Sequence, residues 1–474
     1  MTTSFRDPDG RLLVTEDRVL RVVYESGVAD LTAFLASATA KRFVEAGSLV
    51  HTEYLEPEEL EQLFNYPQIR EPDNRANHIV EHERISFQNF PYEWPPEMLY
   101  EAGCLTIDIA ESALAEGFDL KDATPYNVLF RGPRPVFVDL LSFNKKDLHD
   151  PIWLPYAQFT RTFLLPLVVN RYFSRYANRV FLTRRDGLEP ETVYDLCSLT
   201  QRLRSPFLTL VSIPTWLGAT SNMKQPPVYR RLIHKNEKQA AYVLERLFKR
   251  LRRQLESLKP TVEKRSTWTD YMRWNESFAS DYIHEKSSFV EAVMQEFRPH
   301  KVLDVGCNTG HFSRIAAQNG ASVVAIDQDP TVVGEVWRTA SNEDLDILPL
   351  VVDFTRPSPG IGWRNQENQS FLDRARNSFD ALLMLAVTHH MLVTERIPLE
   401  EIIDLAADLT TNLLIIEFVA PADPMFCRLA RGRDHLFKDL NHEVFIEACR
   451  KRFDIVRSRH LSRASRWLFL LRKK

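Results

Sequence analysis

Short apolar runs alternate with amphipathic segments throughout the C-terminal half of the chain. The apolar runs predict strands at 301–305, in the stretch that ends at Asp327, at 348–354, 379–387 and 412–418, and a terminal antiparallel pair at 453–457 and 467–471. Apolar residues at helical spacing predict helices between them at 288–297, 311–319, 330–339, 398–409 and 442–451. Because strands and helices alternate, we expect an α/β fold with a doubly wound, mostly parallel sheet of seven strands.

The loop after the first predicted strand has glycines at two positions, in the sequence Asp304-Val305-Gly306-Cys307-Asn308-Thr309-Gly310. Gly306 and Gly310 lack a Cβ, so the main chain can turn tightly there and approach a ligand. Asp327 ends the second strand, where a carboxylate can accept hydrogen bonds from both ribose hydroxyls of an adenosine-type cofactor. A pyrophosphate-binding loop usually reads Gly-x-Gly-x-x-Gly, whereas the carboxylate of Asp304 would repel a pyrophosphate and could hold an ammonium.

This loop and its surroundings resemble motif I of class I S-adenosylmethionine-dependent methyltransferases, and the resemblance extends from about residue 268 to residue 474. It implies a Rossmann-like methyltransferase domain with S-adenosyl-L-methionine as its cofactor. In that family the loop contacts the methionine half, and an acid after the third strand contacts the adenine amine. The implied cofactor-binding residues are Asp304, Gly306, Cys307, Asn308, Gly310, Asp327, Gln328, Asp353 and Phe354. A glycine-spaced loop alone is common in doubly wound domains, so the prediction depends on the combination.

Candidate catalytic residues follow the fourth and fifth predicted strands. His389 and His390 come after the carboxyl end of the fourth strand, next to the expected position of the methyl group, and an imidazole could act there as a general base. Alternatively, one histidine caps the following helix or fills the pocket wall. Glu417 ends the fifth strand and either faces the acceptor or satisfies nearby backbone groups.

Candidate acceptor contacts lie in two further segments. The connection 355–378 is longer than usual, which predicts a short helix and a functional loop. Trp363 beside Arg364 could close over a planar or anionic acceptor, or Trp363 could anchor the loop to the domain surface. Tyr271 and Tyr282 are weaker candidates, because they lie in the region that in the resembled family often covers the cofactor.

The first half of the chain carries a different pattern. An amphipathic segment at 95–118 predicts a helix, and Asp122, Asn127 and Asp139 follow it around a turn at Gly132-Pro133. This arrangement resembles the catalytic and metal loops of protein kinase-like folds. The resemblance implies that the first Asp accepts a substrate proton, that the Asn binds metal and that the last Asp binds the magnesium of a nucleotide.

Departures from the kinase pattern weaken this second resemblance. Leu120-Lys121 stands in place of the expected His-Arg, Leu140-Leu141 follows Asp139, and no Gly-rich phosphate loop comes before this region. The resemblance is therefore to a degenerate kinase-like domain, with Asp122, Asn127 and Asp139 as a possible nucleotide or metal loop. Alternatively, these residues only shape turns.

Length and composition set the domain organisation. A chain of 474 residues is longer than a single hydrophobic core usually supports, so we expect more than one domain. We predict an α+β N-terminal domain at 1–235, a connecting helix or linker at 236–266 and the methyltransferase domain at 267–474. A net charge of -4 argues against nucleic-acid binding, and no apolar run is long enough to span a membrane. Five scattered cysteines without zinc spacing indicate a reducing cytoplasm and no metal site.

These patterns predict a cytoplasmic enzyme that transfers a methyl group from S-adenosyl-L-methionine to an oxygen or nitrogen of a small molecule. The N-terminal domain would recognise the acceptor. The overall arrangement resembles bacterial two-part methyltransferases that include nodulation-protein-like members, which implies a carbohydrate or natural-product acceptor. Two alternatives stay open: a non-catalytic scaffold that binds the cofactor or a nucleotide, and a bifunctional methyl- and phosphotransferase.

Overall fold

The computed structural model describes residues 2–4, 6–15, 17–56, 59, 76–220, 236–261, 279–462 and 464–474. Contacts divide the chain into unit 1, which comprises Met1–Tyr92 and Pro96–Pro260, and unit 2, which comprises Glu93–Pro95 and Thr261–Lys474. Within the described ranges, no helix is both long and apolar enough to cross a membrane.

Unit 1 begins with an antiparallel sheet of five short strands. These are β1 (Thr2–Ser4), β2 (Gly10–Val14), β3 (Val19–Tyr24), β4 (Thr52–Tyr54) and β5 (Ala76–His82), in the order β1-β2-β3-β5-β4. Two small antiparallel pairs follow, formed by β6 (Phe118–Leu120) with β9 (Phe143–Lys145) and by β7 (Val128–Arg131) with β8 (Arg134–Phe137). The β7–β8 hairpin turns at Gly132-Pro133, as the sequence pattern predicts.

The rest of unit 1 is largely helical. Its α-helices are Glu25–Ala36, Ala38–Glu45, Pro96–Ala115, Tyr156–Phe159, Leu165–Phe173, Ala177–Thr183, Pro190–Tyr194, Leu199–Arg202, Ile213–Thr220 and Glu237–Glu256, with π-helical turns at Thr160–Leu164 and Leu208–Ser212. The helix Pro96–Ala115 is buried over most of its circumference, because other elements of the unit pack around it.

The helix Glu237–Glu256 belongs to unit 1 and does not form the separate connection predicted for 236–266. Its apolar residues recur every three or four positions, and Leu244, Phe248, Leu251 and Leu255 are buried. Arg252 forms ion pairs of 2.6 Å with both Asp108 and Glu111 on the helix Pro96–Ala115. Periodic burial therefore makes this helix a part of the unit's core.

Unit 2 is built on a seven-stranded sheet. Its strands are β10 (Lys301–Val305), β11 (Ser322–Asp327), β12 (Ile347–Val351), β13 (Phe379–Met384), β14 (Thr410–Val419), β15 (Phe453–His460) and β16 (Arg466–Lys473), in the order β12-β11-β10-β13-β14-β16-β15. The strands β10 to β14 are parallel, and β16 is antiparallel to both β14 and β15. This confirms the predicted α/β fold with a doubly wound sheet.

Helices cover the sheet of unit 2. They are Ala279–Phe297, His311–Gln318, Pro330–Glu343, Phe371–Ala375, Thr388–Val393, Leu399–Leu409, Pro424–Ala430 and His442–Arg450. The central strands are buried on both faces, which explains their continuous apolar sequences; Leu303, Leu382 and Leu414 have no exposed surface. The carboxyl ends of the parallel strands meet at one edge of the sheet, where ligands bind in this class of fold.

Candidate functional site

The loop after β10 presses its backbone against neighbouring strands. Gly306 has a φ of 70°, and a Cβ on it would lie 2.2 Å from Cγ1 of Val387, which follows β13. The amides of Gly306 and Cys307 both donate to the carbonyl of Ile326, at 2.8 and 3.0 Å. Asn308 also has a positive φ, of 49°. The loop thus leaves no room for a side chain at position 306.

Two acids are fixed beside this loop. Asp304, which is 2% exposed, accepts a 2.6 Å hydrogen bond from Oγ of Ser313. Burial raises the pKa of Asp304 to about 6. Asp327 accepts hydrogen bonds from the amides of Asn308 and Asp329, at 3.1 and 3.0 Å, one on each carboxylate oxygen. Each oxygen keeps a lone pair for a ligand hydroxyl.

A cavity of about 390 Å³ opens at the carboxyl edge of the strands, and we name it the strand-edge cavity. Eight of the nine predicted cofactor residues line it, and the ninth, Gly310, does not. A Cβ on Gly310 would lie 2.9 Å from Cγ2 of Val336, so this glycine lets the loop pack against the helix Pro330–Glu343. The contact of Gly310 with the cofactor stays a prediction.

The adenine end of the predicted site follows β12. One carboxylate oxygen of Asp353 accepts from both the amide and the hydroxyl of Thr355, at 2.9 and 2.6 Å. The carboxylate is thereby held in one orientation, and its other oxygen forms an ion pair of 3.7 Å with Nη1 of Arg356, whose side chain is 71% exposed. Phe354 is half-buried in the cavity wall beside it. A planar ring can pack on this side chain.

These residues fit an adenosine-type cofactor that carries an amino-acid tail. The bare backbone at Gly306 admits a ligand where a Cβ would clash with Val387, and acids stand at both ends of the cavity. Among the residues that the structure describes, the lining contains no Gly-rich phosphate loop. The donor set therefore suits a ribose, an adenine amine and an ammonium better than a pyrophosphate.

The two predicted catalytic histidines lie in the helix Thr388–Val393, and neither is its N-cap, which is Val387. His390 is half-buried and lines the strand-edge cavity. His389 is only 1% exposed and lies outside the lining, and among the described residues both of its ring nitrogens lack a hydrogen-bond partner. The two ring centroids are 4.3 Å apart.

Burial changes the pKa values of these two histidines. It lowers the pKa of His389 to about 3, with neighbouring cations adding to the effect. Burial and then Arg466 lower the pKa of His390 as well. Both imidazoles are therefore neutral near pH 7, and only His390 is placed to receive a proton from a group in the cavity.

Glu417 is bound in a buried ionic network, and this corrects its prediction as a catalytic residue. Its carboxylate accepts from Oη of Tyr282 at 2.6 Å and from Nζ of Lys286 at 2.7 Å. Burial alone would raise the pKa of Glu417, but Lys286 and Arg466 outweigh it and lower the pKa to about 2. A carboxylate that stays ionised and occupied cannot take a proton from an acceptor.

Arg466 extends the same network. Its Nε and Nη2 donate to Asp423 at 2.7 and 3.0 Å, and its Nη1 donates to Oη of Tyr282 at 2.7 Å. Asp423 also accepts from the amide of Met425, which caps the helix Pro424–Ala430. The network therefore connects the helix Ala279–Phe297, β14, β16 and the segment after β14.

Lys286, Asp423 and Arg466 were not predicted from the sequence. Lys286 follows Tyr282 by one helical turn and precedes the buried Phe289 and Val290 on the same helix. A lysine on an otherwise apolar helical face was the signal, because such a residue needs a buried partner. The partners themselves, far away in sequence, gave no local signal.

The predicted acceptor contacts have different outcomes. Tyr282 lines the cavity. Trp363 and Arg364 do not, and Trp363 is 62% exposed, because positive φ angles at Gly362 and Arg364 turn this short 3-10 segment outwards. Their closure over a bound acceptor stays a prediction. Tyr271 lies outside the described residues.

In unit 1, the structure links two of the three kinase-like positions. Nδ2 of Asn127 donates to Oγ of Ser142 at 3.2 Å, and this hydroxyl donates to Asp139 at 2.9 Å. Nη1 of Arg21 donates to the other oxygen of Asp139 at 2.7 Å. Asp122 is connected only through its carbonyl, 3.4 Å from Nδ2 of Asn127. Asp139 thus already binds a cation of the chain itself, and the nucleotide or metal role of this loop stays a prediction.

Comparisons with known proteins agree with the site in unit 2. A family model described as a methyltransferase domain matches residues 271–463. The nodulation protein NoeA of Rhizobium meliloti (strain 1021) is 28% identical to this chain, over 98% of this chain and 94% of that protein.

Solved structures with similarity to part of the chain include two methyltransferases. Magnesium protoporphyrin IX methyltransferase from Synechocystis PCC 6803 is 20% identical, with a TM-score of 0.31, over 44% of this chain and 94% of that one. The N-methyltransferase NodS from Bradyrhizobium japonicum WM9 is 14% identical, with a TM-score of 0.32, over 46% of this chain and 97% of that one.

The family match covers the segment that contains the glycine-spaced loop, the acids and the strand-edge cavity. It does not extend into the N-terminal half, where the kinase-like interpretation stays a prediction. Residues 271–463 therefore match a methyltransferase domain, and the enzyme is an S-adenosyl-L-methionine-dependent methyltransferase.

Proposed function

We propose that the enzyme methylates an oxygen or nitrogen of a small molecule, with His390 as the general base. The observation that carries this proposal is that His390 lines the same cavity as Asp304, Asp327 and Asp353. When bound there, S-adenosyl-L-methionine supplies a methyl group activated by a positively charged sulfur.

His390 would remove the proton that the acceptor must lose. As the acceptor atom gains the methyl group, its O–H or N–H bond would break and the proton would move to the imidazole of His390, while the bonding electron pair of the transferred methyl group would stay on the sulfur of the donor. The neutral state of His390 near pH 7 supports this role, because a protonated ring has no lone pair to offer. Alignment of the acceptor by the cavity wall supplies the larger part of the rate.

Unit 1 is proposed to recognise the acceptor, as the sequence suggests. The similarity to a nodulation protein across 98% of this chain supports a joint role for both units. We propose a carbohydrate or natural product as the acceptor on the same ground. The cysteines, all of which are free thiols, support our proposal of a cytoplasmic location.

A label-transfer screen tests this proposal. The full chain would be incubated with methyl-labelled cofactor and fractionated small-molecule extracts, and label would be followed into products. With an acceptor in hand, His390→Asn is expected to lower kcat about 100-fold or more while leaving cofactor affinity unchanged. His389→Asn changes the neighbouring residue, which lies outside the cavity lining, and is expected to lower kcat by a smaller factor.

Two results would contradict parts of the proposal. An unchanged kcat in His390→Asn would remove this residue as the base and leave alignment as the mechanism. Cofactor binding without label transfer to any fraction would favour the scaffold alternative.

A further inference from the structure

Another cavity lies within unit 1, and three arginines line it. Its volume is about 480 Å³, within the range of small-molecule sites. Arg175 precedes the helix Ala177–Thr183, Arg179 lies in the first turn of this helix, and Arg184 follows its last residue. The described residues of the lining include no acidic side chain. We name this space the arginine cavity, and the methyl-transfer site in unit 2 does not use it.

The guanidinium groups of these arginines have unused donors. Nη1 of Arg184 donates to Oγ1 of Thr192 at 3.0 Å. Arg179 lies 5.3 Å from the ring centroid of Tyr176. Among the described residues, the side chains of Arg175 and Arg179 have no hydrogen-bond acceptor and no ion-pair partner. Because a guanidinium carries five N–H donors, most of the donors at this cavity are free for a ligand.

Acidic residues close in sequence do not neutralise this cavity. Glu189 accepts a 2.8 Å hydrogen bond from Nη1 of Arg161, which is not part of the lining. Asp186 and Glu191 are exposed and also lie outside the lining. The three positive charges therefore repel one another without a facing carboxylate in the described part of unit 1, and they produce a positive potential inside the cavity.

Helix ends explain only part of this arrangement. Arg184 is the C-cap of the helix Ala177–Thr183, where a cation stabilises the negative end of the helix dipole. Arg179 lies at the opposite end of the same helix, where a cation is unfavourable. Local helix stability therefore gives no reason for Arg179, whereas an anion bound in the cavity does.

The floor of the arginine cavity is apolar. Val169, Leu188 and Val193 line it, and they are 2%, 8% and 0% exposed. The half-buried Tyr176 also lines it. A small inorganic anion would leave this apolar surface in contact with water, whereas a ligand with an apolar body would cover it. The cavity thus combines a cationic rim with a surface that favours an organic ligand.

The number of cations distinguishes between classes of anion. A carboxylate carries one negative charge, and the fork of a single arginine satisfies it. A phosphate monoester carries about two negative charges at pH 7 and offers three terminal oxygens. Three arginines around one cavity are therefore more complementary to a phosphate monoester than to a carboxylate.

We propose that the arginine cavity binds a phosphate monoester carried on an apolar or aromatic body. Arg175, Arg179 and Arg184 would surround the phosphate, and the apolar floor would contact the body of the ligand. This proposal rests neither on the methyl donor nor on His390, so it can fail while the proposed function stands.

Isothermal titration of the full chain tests the proposal with phenyl phosphate as the probe. Saturating S-adenosyl-L-methionine would fill the strand-edge cavity, and EDTA would exclude metal-dependent binding at Asp122, Asn127 and Asp139. Phenyl phosphate is expected to bind with a Kd below about 1 mM. Inorganic phosphate, benzoate and phenyl β-D-glucoside are each expected to bind at least about tenfold more weakly, because each lacks the aromatic body or the phosphate.

Single substitutions locate the site. Arg175→Gln and Arg179→Gln are each expected to weaken phenyl phosphate binding about tenfold or more, the usual effect of losing a charge-assisted hydrogen bond. Arg253→Gln is the matched control, since Arg253 is an exposed arginine of the same unit outside the lining. Its affinity is expected to stay within about twofold of the wild type. All of these arginines are exposed, so urea unfolding is expected to show similar midpoints for the variants.

Three results would overturn the proposal. The first is the absence of saturable phenyl phosphate binding below about 1 mM. The second is an equal Kd in Arg179→Gln, Arg175→Gln and Arg253→Gln, which would place the binding elsewhere. The third is benzoate or phenyl β-D-glucoside binding as tightly as phenyl phosphate, which would show that the cavity does not select the phosphate.

Discussion

Gly306 shows how one residue sets the depth of the cofactor site. Its positive φ and its contact with Val387 leave no space for a side chain, whereas Gly320 has a φ of 92° and no atom within 4 Å of the point where a Cβ would lie. Substitution at Gly306 therefore adds a clash to the backbone strain, and substitution at Gly320 adds only the strain.

We expect Gly306→Ala to reduce cofactor affinity more than about tenfold, because Val387 or the loop must move into the strand-edge cavity. Gly320→Ala is the matched control: it is expected to cost about 1 kcal/mol of stability without changing affinity. Isothermal titration and urea unfolding measure the two effects. Equal affinities in the two variants would contradict this explanation of the loop.

Asp304 makes cofactor binding dependent on pH. Burial raises its pKa to about 6, so lowering the pH from 7 to 5 is expected to protonate the carboxylate that the sequence predicts to hold the ammonium of the cofactor. We expect affinity to fall through this window in the wild type and to be low and nearly constant in Asp304→Asn. The unliganded fold responds in the opposite sense, because a raised carboxyl pKa favours the folded state at low pH and loses that contribution as the pH rises through about 6. Titrations across pH 5 to 8 measure the first effect.

His389 makes stability fall in acid. Its pKa is about 3 in the folded chain, against about 6.5 when unfolded, so its contribution is complete above the unfolded value and is lost as the pH falls. The slope is about 1.4 kcal/mol per pH unit for one proton. We expect His389→Phe to remove this slope between pH 6 and pH 4 in urea unfolding. An unchanged slope would show that His389 has a polar partner in solution.

The residues that line the strand-edge cavity could be predicted because the motif is local, whereas the ionic network behind them could not. Asp304 to Gly310 lie within one loop, and the other acids come directly after strands. Tyr282 and Glu417 are 135 positions apart in sequence, and Arg466 and Tyr282 are 184 apart. A carboxylate at the end of a strand has the same sequence pattern whether it faces a ligand or, as Glu417 does, a buried lysine.

At the scale of elements, apolar runs located all seven strands of unit 2, but not their full lengths. β14 spans Thr410–Val419 and begins before the apolar run, because Thr410 is buried and its hydroxyl hydrogen-bonds to the carbonyl of Leu413. Burial of a threonine through its own backbone contacts is not visible in hydropathy. The same limitation applied to the helix Glu237–Glu256, whose charged residues suggested a linker.

The helix Glu237–Glu256 should stabilise unit 1. Leu255 is 1% exposed, and its methyl groups would lie 3.3 and 3.5 Å from a Cβ on Gly103, which shows how closely the two helices approach. Leu255→Ala is expected to cost about 2–5 kcal/mol. Tyr242→Ala, on the same helix but 60% exposed, is expected to change stability by less than about 0.5 kcal/mol. Calorimetry on the full chain measures both stability changes. If both are small, the helix acts as a linker and not as part of the core of unit 1.

At the scale of the whole molecule, the described residues that line the strand-edge cavity all belong to unit 2. Cofactor binding therefore stabilises that unit, by about 2.7 kcal/mol when the free ligand is at 100 times its Kd. We expect the cofactor to raise the midpoint temperature of one thermal transition. A second transition, assigned to unit 1 because Leu255→Ala lowers its midpoint temperature, is expected to stay unchanged. A shift of both transitions would indicate that the units unfold together.

Arg466 is carried by β16, which follows every other strand of its sheet along the chain. Until β16 has left the ribosome, the nascent chain contains Glu417 and Asp423 without the guanidinium of Arg466. We therefore expect donor binding to arise late and abruptly during translation. A premature stop codon in place of the codon for Arg466 should then yield a product unable to bind the methyl donor rather than a partly active one.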